Sequence, residues 1–258
     1  MDILTFKDVF FSYELNAEPI LKKVNANVKE NTTAFIIGNS GGGKSTFLRL
    51  AAGLIVPDSG EVIICGINTR YASKPQLMEF HKRSAFVFQD SGLVSNLVLY
   101  DNLALPLRYH TRLTETQIKN KIDPVIEELG LTEHYNRLPG QMSRSERKLA
   151  GIARSVIVDP EIFFFDEPLA GLDYVAADKV KKIISRLAGT KTIIVTEQSL
   201  SFGMKIADLF ICLVDGEIVY SGSPDGIQLS EHPFLKRLLE SRKETTTFYT
   251  SLEKNIKE

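Results

Sequence analysis

"GNSGGGKST", Gly38 to Thr46, stands between the apolar run "TAFII" and the helix-forming "FLRLAAGL". That order of strand, glycine-rich loop and helix decides how the rest of the chain is read. The stretch matches G-x-x-x-x-G-K-[ST] with Gly38, Gly43, Lys44 and Ser45, and Asn39, Ser40, Gly41, Gly42 and Thr46 complete the loop and the helix start. Glycines let successive backbone N–H groups curl around a phosphate, and the helix behind them adds its positive N-terminus. A lysine at position 44 neutralises phosphate charge, and the Ser45 hydroxyl is placed to ligate Mg²⁺.

A second element belongs with the first. "IFFFDEP" is an apolar strand ending in Asp166 and Glu167, 122 positions beyond Lys44. Asp166 is expected beside the metal, and Glu167 is expected to polarise an attacking water. The two elements reinforce each other because strands of a parallel sheet end at one edge, where such sheets bind ligands.

Around these two elements the pattern is that of an α/β core with two additions. Residues 3–28 hold short alternating runs, "ILTFKDVFFSY" and "ILKKVNANV", of the kind that form half-buried antiparallel strands. "EVIICG" and "SAFVFQD" read as further strands, and from about residue 92 the character turns helical. "TETQIKNKIDPVIEELG" opens with a capping box, Thr114 and Gln117, and places Ile118, Ile122, Ile126 and Leu129 on one face, with a kink expected at Pro124. "SRSERKLAGIARSVIV" carries one apolar stripe of Leu149, Ile152, Ala153, Val156 and Ile157. Strands resume in "EIFFFDEP", "KTIIVTE" and "DLFICLVDGEIVY", with the amphipathic "DYVAADKVKKIISRLAG" after the first. Runs buried on both faces and separated by helices describe a parallel sheet, so the helical block at about 92–157 is an insertion into it. One domain is expected over 1–225, followed over 226–258 by the helix "PFLKRLLESRK" and a frayed polar tail.

Composition narrows the function. The 258 residues are 43% hydrophobic and 24% charged, with 31 basic against 32 acidic side chains and a net charge of −1, which leaves no excess to hold a nucleic acid backbone. "MDILTFKDV" lacks a basic segment followed by a long apolar run, and no stretch approaches the roughly 20 apolar residues of a membrane span. A cytoplasmic protein, or one on the cytoplasmic side of a membrane, is expected. Cys65 and Cys212 sit in apolar runs and read as buried, reduced thiols; the four histidines are scattered and imply no metal site.

On these motifs the chain resembles the ATP-binding cassette family over residues 1 to about 225. Further positions match in order: Tyr13, where that family stacks an aromatic on adenine; Gln89 in "FVFQD", its hinge glutamine and a metal contact; "MSRSERKLAGIARSV" with Ser143 at the signature; and "LAGLD" with Asp173 at the dimer contact. The resemblance implies a P-loop, RecA-like core with an N-terminal antiparallel β subdomain and an inserted helical signature subdomain. It implies ATP and Mg²⁺ as ligands, a second cassette sandwiching two ATP molecules, and a membrane permease seated near the hinge glutamine. "LYDNLALPLRYHTRLTETQI" and "GSPDGIQLSEHPFLKRLLE" look like the matching segments of Mla/Mce phospholipid transport ATPases, which adds an MCE-type substrate-binding protein to the implied partners and the inner membrane as the place of work. Other small importers, lipoprotein release ATPases and cell-division ATPases share similar "NLALPL" segments. A non-transporting cassette acting as a switch or scaffold is the alternative class.

Two departures from the family pattern bear on rate. The signature LSGGQ is replaced by Met142, Ser143, Arg144, Ser145 and Glu146; the S-x-x-E capping box survives, but the glycine pair that admits the partner's γ-phosphate is lost. Arg144 either supplies a compensating charge or holds two subunits apart. Within "TIIVTEQSL", at the end of its apolar run, the family's phosphate-contacting histidine is replaced by Glu197. A carboxylate about 4 Å from a phosphate oxygen repels it by roughly 4 kcal/mol at an effective dielectric near 20. Glu197 is therefore expected to be protonated, rotated away, or paired with a cation. Gln198 would face the other side of a continuing strand, unless a turn brings it in to orient water. Tight Mg-ATP binding with slow turnover as a homodimer, or a need for a second cassette with complete motifs, is the expectation.

Overall fold

The computed structural model describes residues 1–14 and 17–240. Strands β1 (Asp2–Phe11), β2 (Leu21–Lys29), β4 (Ser59–Ile64) and β5 (Ile67–Asn68) form an antiparallel sheet in the order β2-β1-β4-β5. The second sheet holds β3 (Thr33–Ile37), β6 (Ser84–Val87), β7 (Ile162–Asp166), β8 (Thr192–Glu197), β9 (Leu209–Val214) and β10 (Glu217–Gly222), in the order β10-β9-β3-β8-β7-β6. Five of its strands run parallel, so the C-terminal ends of β3, β6, β7 and β8 share one edge.

The run "DLFICLVDGEIVY" is not one strand. Asp215 and Gly216, at φ 49° and 85°, make a two-residue turn that folds β10 back antiparallel on β9. Cys65 sits in a turn of the same kind, at φ 49° beside Gly66, between β4 and β5. It is therefore half-buried rather than a core residue, whereas Cys212 in β9 is buried; both are free thiols.

The parallel sheet is apolar on both faces because alternate side chains feed separate cores. Phe163 and Phe165 point into a core shared with the helices α3 (Leu99–His110), α4 (Glu115–Leu129), α5 (Arg144–Ile157) and α6 (Tyr174–Leu187). Ile162 and Phe164 point the other way, into a core with α1 (Lys44–Ala51) and the antiparallel sheet. Both expected capping boxes form, Thr114 with Gln117 and Ser143 with Glu146. The stripes behind them are buried, with Val156 only partly so, and α4 runs as one helix through Pro124.

Two further helices, α2 (Lys74–Lys82) and α7 (Leu200–Ile206), and the short α8 (Pro224–Ile227) complete the set with α9 at 233–240. Leu235 of α9 is fully buried, and Phe234, Leu238 and Leu239 pack on the same core. The polar tail expected beyond residue 240 lies outside the described residues. Among the described residues no helix is long and apolar enough to cross a membrane.

Candidate active site

The loop after β3 is shaped by close approach. A Cβ on Gly38 would stand 1.8 Å from the Leu213 carbonyl oxygen of β9, so only glycine leaves the chain room there. Gly41 and Gly43 turn the loop at φ 75° and 95°, which favours glycine for a different reason. Asn39 donates from Nδ2 to Asp215 Oδ1 at 2.9 Å, tying the loop to the β9–β10 turn.

An open cleft of about 370 Å³ lies over this loop, lined by Ser40, Gly41, Gly43, Lys44, Ser45, Thr46, Gln89, Glu167 and Gln198, with Ile20 at its side. Lys44 is 5% exposed and donates to the carbonyls of Gly38 and Asn39 at 3.1 and 2.9 Å. Burial pulls its ammonium below the usual lysine value, against the opposing charge of Glu167, Asp166 and Glu197. Its Nζ lies 3.8 Å from Glu167 Oε1, so the loop cation and the expected water-polarising carboxylate already face each other.

Ser45 donates to Asp166 Oδ1 at 2.8 Å. The hydroxyl and the carboxylate are hard oxygen donors, the kind Mg²⁺ selects, and two elements 121 residues apart bring them within reach of one ion. Asp166 is held from behind by Thr196, whose hydroxyl donates to the same Oδ1 at 2.8 Å and accepts the N–H of Glu167 at 2.9 Å. Gln89 meets Glu167 from the other side, Nε2 to Oε2 at 3.4 Å. Tyr13 stands at the rim, half exposed, with its hydroxyl 3.3 Å from Thr46 Oγ1 and accepting from Arg49 at 2.9 Å.

Strand β8 ends at Glu197, and the turn that follows sorts the two polar residues. Gln198 enters the cleft and donates from Nε2 to both oxygens of Glu167. Glu197 is 7% exposed and turns the other way, with Oε1 accepting the N–H of Leu169 at 3.3 Å. Burial pushes its carboxyl up to about 7, with the Leu169 and Gln198 N–H groups pulling it back. Of the three escapes from phosphate repulsion, rotation away and a raised pKa both occur, and Lys148 supplies a nearby cation.

Ser143 and Asp173 do not line this cleft. Ser143 caps α5, accepting from Glu146 N at 3.2 Å, and Asp173 caps α6, accepting from Ala176 N at 2.9 Å. Arg144, beside Ser143, lies over the "LAGLD" loop of its own chain: a Cβ on Gly171 would be 3.3 Å from its guanidinium carbon. Sequence reasoning missed Thr196 and Lys148. A polar residue inside a buried run, Thr196 at 0% exposure, was the available signal for the first; nothing in the chain order points to the second.

Residues 21–170 match the family model described as ABC transporter. The chain is 30% identical over 241 residues to the intermembrane phospholipid transport system ATP-binding protein MlaF of Escherichia coli strain K12, covering 93% of this chain and 89% of that one. It is also 30% identical over 226 residues to the probable ribonucleotide transport ATP-binding protein mkl of Mycobacterium leprae, covering 87% and 65%. Among solved structures, a dimeric ATP-binding cassette in a post-hydrolysis state with ADP and Pi superposes with a TM-score of 0.80 at 28% identity, covering 86% of this chain and 98% of that one.

Proposed function

The chain belongs to the ABC transporter family and is an ATPase subunit of such a transporter, and we propose that it binds Mg-ATP in a cassette dimer to drive a permease that moves phospholipid. The observation that carries this reading is the convergence of Lys44, Ser45, Gln89 and Glu167 on one cleft, with Asp166 bonded to Ser45 beneath it. The lipid substrate rests on the relative whose name states phospholipid transport, and on the two segments at 99–118 and 222–240 that resemble such ATPases.

In this reading residues 1–225 are the cassette and 226–258 an extension, at the cytoplasmic face of the inner membrane. Lys44 binds the β- and γ-phosphates, and its two carbonyl partners hold it until they arrive. Mg²⁺, held by Ser45 and Asp166 with Gln89, would neutralise phosphate charge as it does at such sites. Glu167 accepts a hydrogen bond from the attacking water; the water oxygen bonds to the γ-phosphorus, the bond to the β–γ bridging oxygen breaks, and ADP and phosphate leave. Gln198 and Gln89 hold the Glu167 carboxylate in its aim. Tyr13 stacks on adenine, while Ser143 and Asp173 serve the partner cassette's site across the dimer.

Two surface features are where these partners would dock. Tyr174 and Val175, directly after Asp173, are 84% and 64% exposed. A cavity of about 160 Å³ between β6, α3 and α5 is lined by Phe86, Pro106, His110, Gly151 and Arg154, and in this reading it receives the permease. Turnover is slow in this reading, because Arg144 and Ser145 replace the glycine pair and position 197 carries no histidine. An MCE-type substrate-binding protein completes the assembly.

The test is steady-state Mg-ATP hydrolysis by the membrane complex that co-purifies with the tagged chain, beside the same complex carrying Glu167→Gln. Abolished turnover with retained ATP binding supports the reading, and lipid extraction of the complex identifies the cargo. Equal turnover in both overturns a catalytic role for Glu167.

A further inference from the structure

Glu167 is one of the non-glycine residues in the left-handed backbone region, at φ 46°. Such a residue stays there only when its surroundings hold it. Both of its backbone groups are held. Its N–H goes to Thr196, as above, and its carbonyl oxygen accepts from Lys148 Nζ at 2.5 Å.

Lys148 comes from α5, far from the cleft in sequence, and is 3% exposed. Besides the Glu167 carbonyl it donates to the Ala170 carbonyl at 2.8 Å. Glu197 takes the N–H that lies between these two carbonyls, that of Leu169. One buried cation and one buried carboxyl, from α5 and β8, therefore fix three backbone groups of the loop that starts at Glu167. The two charges also favour each other, while Arg144 pushes against Lys148.

We infer that Lys148 and Glu197 are a matched pair of positioning residues that clamp the loop 167–170 and so aim the Glu167 carboxylate into the cleft. The pair links the start of the signature helix to the water-polarising residue, so a shift of α5 is felt at Glu167 through Lys148. Glu197 then has a role that needs no contact with phosphate, which explains how a carboxyl is tolerated at that strand end. The rate part of the inference rests on the hydrolysis reading above; the loop part does not.

The experiment compares the full chain, and the complex that co-purifies with it, as Lys148→Met, Lys148→Arg, Glu197→Ala and the Met/Ala double variant. Hydrogen–deuterium exchange of the peptide spanning 166–173, without nucleotide, reads the loop directly. Lys148→Met is expected to speed exchange there and to lower kcat about tenfold or more with the ATP KM within about twofold, since a small misplacement of a catalytic group is costly. Lys148→Arg is expected to recover most of both, and the double variant to lose less than the product of the single losses. Unchanged exchange in Lys148→Met, or single losses that simply multiply, overturns the clamp. If the wild-type complex hydrolyses no ATP, the function reading fails and exchange alone decides the clamp. If Lys148→Met does not fold, Glu197→Ala decides: faster exchange over 166–173 supports the clamp and unchanged exchange overturns it.

Discussion

Gln198 donates from one amide nitrogen to both oxygens of Glu167, at 3.1 and 3.2 Å. The contact exists because β8 stops at Glu197 and the chain turns, so that the next side chain enters the cleft instead of facing the opposite side of a longer strand. Gln198 thus occupies the space beside the Glu167 carboxylate that the strand-end residue itself vacates. Replacing it by alanine removes a hydrogen bond to a charged group, worth about 1.5 kcal/mol or somewhat more. Gln198→Ala is expected to lower kcat about tenfold with little change in ATP affinity. Single-turnover hydrolysis and nucleotide titration check this; a fall in affinity with kcat intact would place Gln198 in binding instead.

Thr196 has both hydrogen-bonding functions occupied, as donor to Asp166 and acceptor from Glu167 N–H, at zero exposure. Thr196→Val keeps the shape and leaves the Glu167 amide unsatisfied, a loss of about 2 kcal/mol. For a chain of this size the expected fall in Tm is about 4–8 °C. Because Asp166 loses a fixing contact too, weaker Mg²⁺ dependence of ATP binding should accompany it. A fully wild-type Tm would show that these bonds are not formed in solution.

How far the sequence revealed this site depends on distance along the chain. The glycine loop and the Asp166–Glu167 pair are local patterns, because the strand that precedes each one also aims it. Strand alternation and the two capping boxes are equally local, and the structure forms them where spacing placed them. Thr196 and Lys148 act across 29 or 30 and 19 to 22 residues, through contacts that exist only once β8 and α5 pack against the loop after β7. No spacing rule encodes such contacts. The β9–β10 hairpin has a local signal, since Asp215-Gly216 is a hairpin dipeptide, but it lies inside a run of strand-forming residues. Helix α2, with its Ser73–Gln76 capping box, carried its own signal as well, but buries only Phe80 and so shows no strong apolar stripe.

Glu197 makes stability depend on pH in an unusual direction for a carboxyl. Its folded pKa, about 7, lies above the 4.5 of a free side chain, so between these values the folded state holds a proton that the unfolded state has lost. Stability from this group is full below about 4.5, falls as pH rises through the folded pKa, and is then lost, by about 3 kcal/mol in all. Lys148 from α5 and the N–H groups of Leu169 and Gln198 limit the rise, whereas Glu167 adds to it. Glu197→Gln is expected to flatten this part of the curve and to be more stable than wild type at pH 8. Urea unfolding at pH 5, 6, 7 and 8 measures it; parallel curves for the two proteins would mean Glu197 titrates normally.

In the proposed cassette dimer, Arg144 is the residue that tests whether the departure from the family pattern at 143–146 slows turnover. Its guanidinium rests against Gly171, and Gly171 belongs to the loop that carries Asp173, so the side chain covers backbone that a second cassette would have to approach. Its neighbours do not require it for folding: Ser143 and Glu146 cap α5 without it, and the residue is exposed at the helix start. Arg144→Gly restores a glycine at the first helical position at a cost of up to about 1 kcal/mol. It also removes a positive charge that weakens the Lys148 ammonium. Both effects favour hydrolysis if the arginine obstructs. Severalfold faster Mg-ATP turnover by the complex, with tighter ATP-dependent dimerisation of a Glu167→Gln background, is the expected outcome. A fall in turnover would show instead that the guanidinium reaches the partner's phosphate and replaces the lost backbone N–H groups with charge.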